Sequence, residues 1–289
     1  MTRASYVFPL FGCTERPAAV FSLLAALQLL QETKPRHPIL AMLTGSCCHD
    51  AALALALRDA GVNRTCVPPV DGISCAGGDR RAVFGSYRNQ TYAKLHIWAL
   101  TDYDVALSLD TDVAVMRSLD GVLDRMAADQ TLREARSPQG CLGARDATHR
   151  FFNTGVWAAR PDAAVHAAFM RYLRSGHSRC YGGDQSAALG FFAGRRAWPV
   201  LPLHVGYNLK VDQGVRSCLD KVGLGHDELF VVHWAGPHKP VGRRNGHVRD
   251  ELERKAHSAY TAAYEAAQAR YASYKAEGRS TGSVKSWLG

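Results

Sequence analysis

Apolar and polar positions alternate in short blocks from the start of the chain. Residues 5–11 are apolar and bounded by Gly12, which predicts a first strand. Residues 18–30 repeat apolar side chains at helical spacing, and Pro35 and Pro38 close that helix. Residues 39–44 predict a second strand, ending at Gly45. Residues 49–60 predict a helix with Leu53, Leu57 and Ala60 on one face and Gly61 as its stop. Residues 65–70 predict a third, short strand. This order of strand, helix, strand, helix, strand argues for a parallel sheet with helices on its faces.

Further along, 75–81 is a polar, Gly-rich loop and 92–100 a helix. Residues 104–109 form a short strand with Val105, Leu107 and Leu109 on one face. Past Leu123 the pattern weakens, and 129–138 reads as an exposed loop or irregular helix. A strand at 151–159, helices at 161–173 and 184–192, and a last strand at 229–233 follow. Residues 249–276 carry a long helical pattern with Tyr260, Tyr264, Tyr271 and Tyr274; such spacing packs a helix onto a core. The Gly- and Ser-containing segment 278–289 is expected to be a flexible tail.

Composition narrows the class. The 289 residues are 47% hydrophobic and 21% charged, which fits a globular protein and not a disordered one. No apolar run reaches the roughly 18 residues of a membrane helix. The longest candidate, 17–30, follows Glu15 and Arg16 and lacks a cleavage site, so neither a secretory signal nor a membrane partner is expected. The net charge of +9 favours anionic ligands, nucleotides and sugar nucleotides among them. The basic residues are scattered, and the run from Arg243 to Lys255 is broken by Asp250, Glu251 and Glu253, so no nucleic-acid partner is expected. The eight cysteines (13, 47, 48, 66, 75, 141, 180 and 218) form no C-x-x-C, which argues against structural zinc. They read as buried, reduced thiols of a cytoplasmic protein.

The chemistry concentrates after the strand at 104–109, where the chain reads Asp110-Thr111-Asp112. Doubly wound sheets bind ligands beyond the carboxyl ends of their strands. Residues i and i+2 of an extended segment project to one side, so both carboxylates can aim at one point. Carboxylates held that close repel unless a cation or proton lies between them. A hard ion such as Mn²⁺ or Mg²⁺ meets that need and also takes substrate phosphates. A single D-x-D occurs by chance in many proteins. Taken alone, Lys94 is a solvated helix lysine, His233 a core histidine and Asp184 a helix cap.

The order of the surrounding blocks makes the pattern specific. Tyr92-Ala93-Lys94-Leu95 leads through Trp98, Leu100-Thr101 and Tyr103-Asp104 into Leu109-Asp110-Thr111-Asp112. Then come Phe152-Asn153-Thr154-Gly155-Val156, Gly182-Gly183-Asp184-Gln185, Tyr207-Asn208, and His233-Trp234-Ala235-Gly236-Pro237-His238-Lys239-Pro240. In this order the blocks resemble glycosyltransferase family 8, especially its glycogenin-like branch. The likeness covers about 1–245 and is weakest before Tyr87.

The resemblance implies an α/β GT-A fold: a single Rossmann-like nucleotide-sugar-binding domain with a mixed, mostly parallel sheet. Residues 1–245 would form that domain and 246–277 a C-terminal helical extension packed on it. It implies a metal-dependent, retaining glycosyltransferase that moves a hexose, glucose or galactose, from a UDP-sugar to a saccharide or protein acceptor. A homodimer stays open, as does a catalytically silent sugar-nucleotide-binding protein. By position, Asp110, Asp112 and His233 would ligate Mn²⁺, with Mg²⁺ as the alternative. Lys94 and Lys239 would face the donor phosphates, and Gly236 would let the backbone approach them. Asn153, Asp184 and Gln185 would line the sugar, with Asp184 as nucleophile or cation stabiliser. Thr111 and Asn208 would stand beside the donor, and backbone groups of Leu10 and Phe11 would hold the base.

The chain departs from the family in places. Phe8 and Pro9 disturb the first-strand match, and Val241 replaces a tryptophan after Lys239-Pro240. No tyrosine lies between Asn208 and Tyr260, which excludes self-glucosylation at the usual position. Residues 139–150 and 210–225 are the suggested acceptor loops. His96, His149, His204, His238 and Cys180 receive no role.

Overall fold

The computed structural model describes residues 3–13, 17–76, 90–138, 152–178, 183–193, 199–211, 215–234, 240–241 and 250–280. Its strands are β1 (Ala4–Leu10), β2 (Ile39–Thr44), β3 (Asn63–Val67), β4 (Val105–Leu109), β5 (Val113–Val115), β6 (Glu134–Pro138), β7 (Phe152–Ala159), β8 (Val200–Pro202), β9 (Leu209–Lys210) and β10 (Val231–His233). Its α-helices are α1 (Pro17–Glu32), α2 (Ala51–Asp59), α3 (Asp120–Ala128), α4 (Ala163–Arg174), α5 (Asp184–Ala193), α6 (Val215–Val222) and α7 (Glu251–Ser280). The stretch Tyr92–Ala99, expected as a helix, is a 3-10 helix.

Among the described residues, the main sheet runs β3-β2-β1-β4-β7-β6-β8. The β3-β2-β1-β4 half is parallel, while β7 runs antiparallel to both β4 and β6. Alternation along β1 sorts the core. Tyr6, Phe8 and Leu10 pack with α1 and α2 on one face, and Val7 packs with the 3-10 helix, α4 and α5 on the other. Both faces are covered, so β1 is buried at every position, as a central parallel strand should be.

A second, three-stranded sheet, β5-β10-β9, packs between α1, α6 and α7. Helix α1 is wedged between the main sheet and α7, so its buried residues surround it almost completely. The tyrosines of α7 pack as the spacing predicts. Tyr264 and Tyr271 both meet Phe21 of α1 edge-on, with centroids 5.6 Å apart in each case. No described helix is long and apolar enough to cross a membrane.

Two expectations are corrected. Of residues 129–138, 129–133 form the largely exposed turn expected, but Glu134–Pro138 are β6, which lies inside the sheet between β7 and β8. Its charged residues mislead: Glu134 and Arg136 form a buried ion pair. Trp157 Nε1 donates to Glu134 at 3.4 Å, and the Arg136 guanidinium lies 4.8 Å from the centre of the Phe192 ring.

The six described cysteines are not reduced thiols either. Cys13 is bonded to Cys47 and Cys48 to Cys66, with Cα separations of 5.0 and 5.7 Å. Cys75 and Cys218 are also disulfide-bonded. The physical cause is strand order. Cys13 follows β1, Cys47 and Cys48 lie in the turn Gly45–His49 after β2, and Cys66 lies in β3. Parallel neighbours bring these carboxyl-terminal positions side by side, which a scan of linear spacing does not detect. The cysteine argument for a cytoplasmic location falls with this correction.

Candidate metal and donor site

The acidic pair sits in the turn between β4 and β5, where the chain leaves the main sheet for the small one. Register brings in the distant histidine: β10 runs antiparallel to β5 with His233 opposite Val113, and parallel to β9 with His233 opposite Lys210. The ligand atoms of Asp110, Asp112 and His233 lie within 4.8 Å of one another. His233 Nε2 is 3.4 Å from Asp112 Oδ1 and 3.7 Å from Asp110 Oδ2. Two carboxylates and one imidazole nitrogen suit Mn²⁺, which accepts nitrogen more readily than Mg²⁺.

His233 is held so that Nε2 faces the carboxylates. Its Nδ1 is 2.8 Å from Asn208 Oδ1. Asn208 Nδ2 donates to Asn153 Oδ1 at 3.0 Å, which fixes the amide orientation and assigns the proton to Nδ1 of His233. Asn153 also accepts from the Gly155 amide at 2.8 Å and donates to Gln185 Oε1 at 3.0 Å. Gly155 supplies space: a Cβ there would lie 2.2 Å from His233 Cε1. The sequence placed Gly155 in a motif without this role, and the register of β10 against β5 is what exposes it.

Lys94 and Asp184 form the other half. Gly183, in the left-handed region at φ +64°, turns the chain into α5, and Asp184 opens that helix. Lys94 Nζ is 2.6 Å from Asp110 Oδ1 and 3.5 Å from Asp184 Oδ2. Thr154, a residue the sequence reading gave no role, donates to Asp184 Oδ2 at 2.6 Å. Burial alone would lower the lysine pKa, but Asp110 and Asp184 outweigh it and raise it, so Lys94 is charged. Burial, with Asp112 nearby, holds the Asp110 carboxyl above the usual range despite Lys94. Three carboxylates around one lysine leave an excess of negative charge that a dication would balance.

A cavity of about 650 Å³ opens beyond the carboxyl ends of β1, β2 and β3. Phe11, Gly12, Thr44, Gly45, Ser46 and the segment from Pro69 to Ser74 line it, with Gln90 and Ala93. Ala93, which lines the cavity, directly precedes Lys94 in the 3-10 helix. Phe11 lines this space, whereas Leu10 is buried within β1. Gly236 and Lys239 lie outside the described residues, as do 139–150 of the suggested acceptor region.

No family model matches the chain. UDP-glucuronate:xylan alpha-glucuronosyltransferase 1 of Arabidopsis thaliana is 25% identical over 213 residues, covering 65% of this chain and 29% of that protein. Human glycogenin-1 is 29% identical over 154 residues, covering 52% of this chain and 39% of that protein. The chain thus spans less than half the length of these curated relatives. Among solved structures, a galactosyltransferase LgtC with donor and acceptor sugar analogues superimposes at a TM-score of 0.57 and 19% identity, covering 88% of this chain and 95% of that one. The bifunctional glycosyltransferase WbbM gives a TM-score of 0.60 at 16% identity, over 91% of this chain and 50% of that one. The α/β architecture is the expected GT-A fold.

Proposed function

Because the chain resembles glycosyltransferase family 8, as its curated relatives also indicate, we propose that it transfers a hexose, glucose or galactose, from a UDP-sugar to a saccharide or protein acceptor with retention at the anomeric carbon. The observation that carries this reading is the convergence of Asp110, Asp112 and His233 beside the Lys94–Asp184 pair. Residues 1–245 serve as the catalytic domain in this reading, and 246–277 as a helical extension.

When bound, Mn²⁺ or Mg²⁺ would supply Lewis-acid stabilisation of the charge that develops on the leaving diphosphate. Asp110, Asp112 and His233 would hold it, and the chain's other residues do the remaining work. Phe11, Gly12 and the strand ends around the cavity receive the nucleoside. Lys94 holds Asp110 and Asp184 in place, and Lys239 and Gly236 serve the diphosphate. Asn153 and Gln185, joined to each other, orient the sugar hydroxyls. Asp184 faces the anomeric centre; Thr154 and Lys94 both engage its Oδ2, which suits a carboxylate that stabilises positive charge on the sugar better than one that attacks it. The disulfides favour an oxidising compartment as the place of action over the cytoplasm.

The test is UDP release from a panel of UDP-hexoses with and without Mn²⁺. Wild-type protein should turn over in Mn²⁺ and stop in chelator. Asp112→Ala should lose about 100-fold or more in kcat/KM, since one of three ligands is removed. No UDP release from any donor, or unchanged turnover in Asp112→Ala, overturns the proposal.

A further inference from the structure

The turn bearing Asp110 and Asp112 is held from three sides. The Asp110 amide donates to the Gly155 carbonyl at 2.9 Å, and the Trp234 amide donates to the Asp112 carbonyl at 3.0 Å. The third hold comes from α7, far away in the chain. The Tyr260 hydroxyl donates to the Thr111 carbonyl at 2.7 Å. Its other neighbour, the Ser22 carbonyl, is more distant at 3.4 Å, and a phenol has one proton to give. Tyr260 is fully buried. Its ring packs on Trp234 with centroids 5.2 Å apart, and Trp234 directly follows His233. One side chain thus grips the peptide between two ligands and supports the residue beside the third.

We propose that Tyr260 is a positioning residue for the metal centre, fixing the Thr111 peptide so that Asp110 and Asp112 converge on His233. The inference rests on reading those three residues as metal ligands. The phenol acts as a neutral donor, because burial, together with the nearby Asp112 carboxylate, raises its pKa. The geometric reason is lever-like. Both carboxylates hang from peptides that flank the Thr111 carbonyl, and metal sites tolerate only about 0.5 Å of error in such groups. Fully buried, Tyr260 acts through the Thr111 peptide, and it makes α7 a working part of the site rather than an external buttress.

The test is an EPR titration of Mn²⁺ against wild-type protein, Tyr260→Phe and Tyr264→Phe, with a thermal melt of each. Tyr260→Phe keeps the ring on Trp234 and removes the hydroxyl. Tyr264 lies one turn on, in the same apolar cluster, and controls for packing. Tyr260→Phe should bind Mn²⁺ about tenfold more weakly, while its metal-free affinity for UDP stays within about twofold of wild type. Tyr264→Phe should bind Mn²⁺ like wild type. Wild-type affinity in Tyr260→Phe overturns the inference, as does an equal loss in Tyr264→Phe, which would assign the effect to helix packing. Failure of wild-type protein itself to bind Mn²⁺ overturns the metal reading and this inference together, and it is seen before any substitution is made.

Discussion

Gly155→Ala is the sharpest probe of the site, because the perturbation is one methyl group. Its Cβ would sit 2.2 Å from His233 Cε1, 2.6 Å from Nδ1 and 2.7 Å from Asn153 Oδ1. Carbon atoms in contact prefer at least about 3.5 Å, so the ring would have to retreat by roughly 1.3 Å. Ligand distances at a metal vary by only about 0.2 Å. The ring therefore cannot retreat and still coordinate. Nor can β7 give way freely, because the Gly155 carbonyl accepts from the Asp110 amide at 2.9 Å. Moving that strand disturbs a second ligand. Either response breaks the triad, and Mn²⁺ affinity should fall by about 100-fold or more, equivalent to about 2.7 kcal/mol. EPR titration of free Mn²⁺ measures this directly. Gly121→Ala, in α3, is the control, since a Cβ there meets nothing within 4 Å. Wild-type Mn²⁺ affinity in folded Gly155→Ala would refute the placement of His233 among the ligands.

Two further outcomes follow from parts of the fold outside the triad. The Cys13–Cys47 and Cys48–Cys66 bridges span sequence separations of 34 and 18, for which chain entropy gives about 3–4 kcal/mol each. Reductant should therefore lower the melting temperature by several degrees, and an unchanged melt with thiol titration showing both bridges open would sink the stabilisation argument. The buried His96 and its half-buried partner His166, with Nδ1 of the first 3.0 Å from Nε2 of the second, should make stability pH-dependent. Burial, then the neighbouring His166, push His96 from 6.5 down to about 4. Burial lowers His166 too. The unfolded chain then binds protons that the folded one refuses, so stability is flat above about pH 6.5 and falls by up to roughly 3 kcal/mol towards pH 4. Urea unfolding at pH 7.5 and 5 measures the slope; His96→Phe should flatten it, and an equal slope in that variant would count against the argument.

Much of the site was readable in the linear chain because its chemistry uses rare residue types in a fixed order. Asp110, Asp112, His233, Asn153, Asp184, Gln185 and Asn208 were all named, and the structure gathers them. What the chain hid has physical causes. The strands β5 and β9 are too short, at 3 and 2 residues, for periodicity to register. The Glu134–Arg136 pair looks like surface because charge alone does not reveal a partner. Gly155 and Tyr260 act through space that only the register of β10 and the packing of α7 define. The disulfides depend on strand order, which no spacing rule encodes.

The electrostatics explain why the site is built on packed elements and not on loops. Lys94 joins Asp110 of the Asp110–Asp112–His233 cluster to Asp184, so in the proposed function one cation links the two tasks. Such a bridge works only if the lysine cannot swing away, and its flexible stem would otherwise cost conformational entropy. Its neighbours supply the anchor. Tyr92, Leu95, Ile97 and Trp98 of the same 3-10 helix are all buried in the core between the main sheet and helices α4 and α5. The opposite end of the constellation is anchored alike: Asp184 opens α5, whose Phe191 stacks on Phe169 of α4 at 4.1 Å. Core packing thus fixes both ends of the Lys94 bridge, and a substitution in that core that tilts either element should register as a change in donor chemistry before it registers as unfolding.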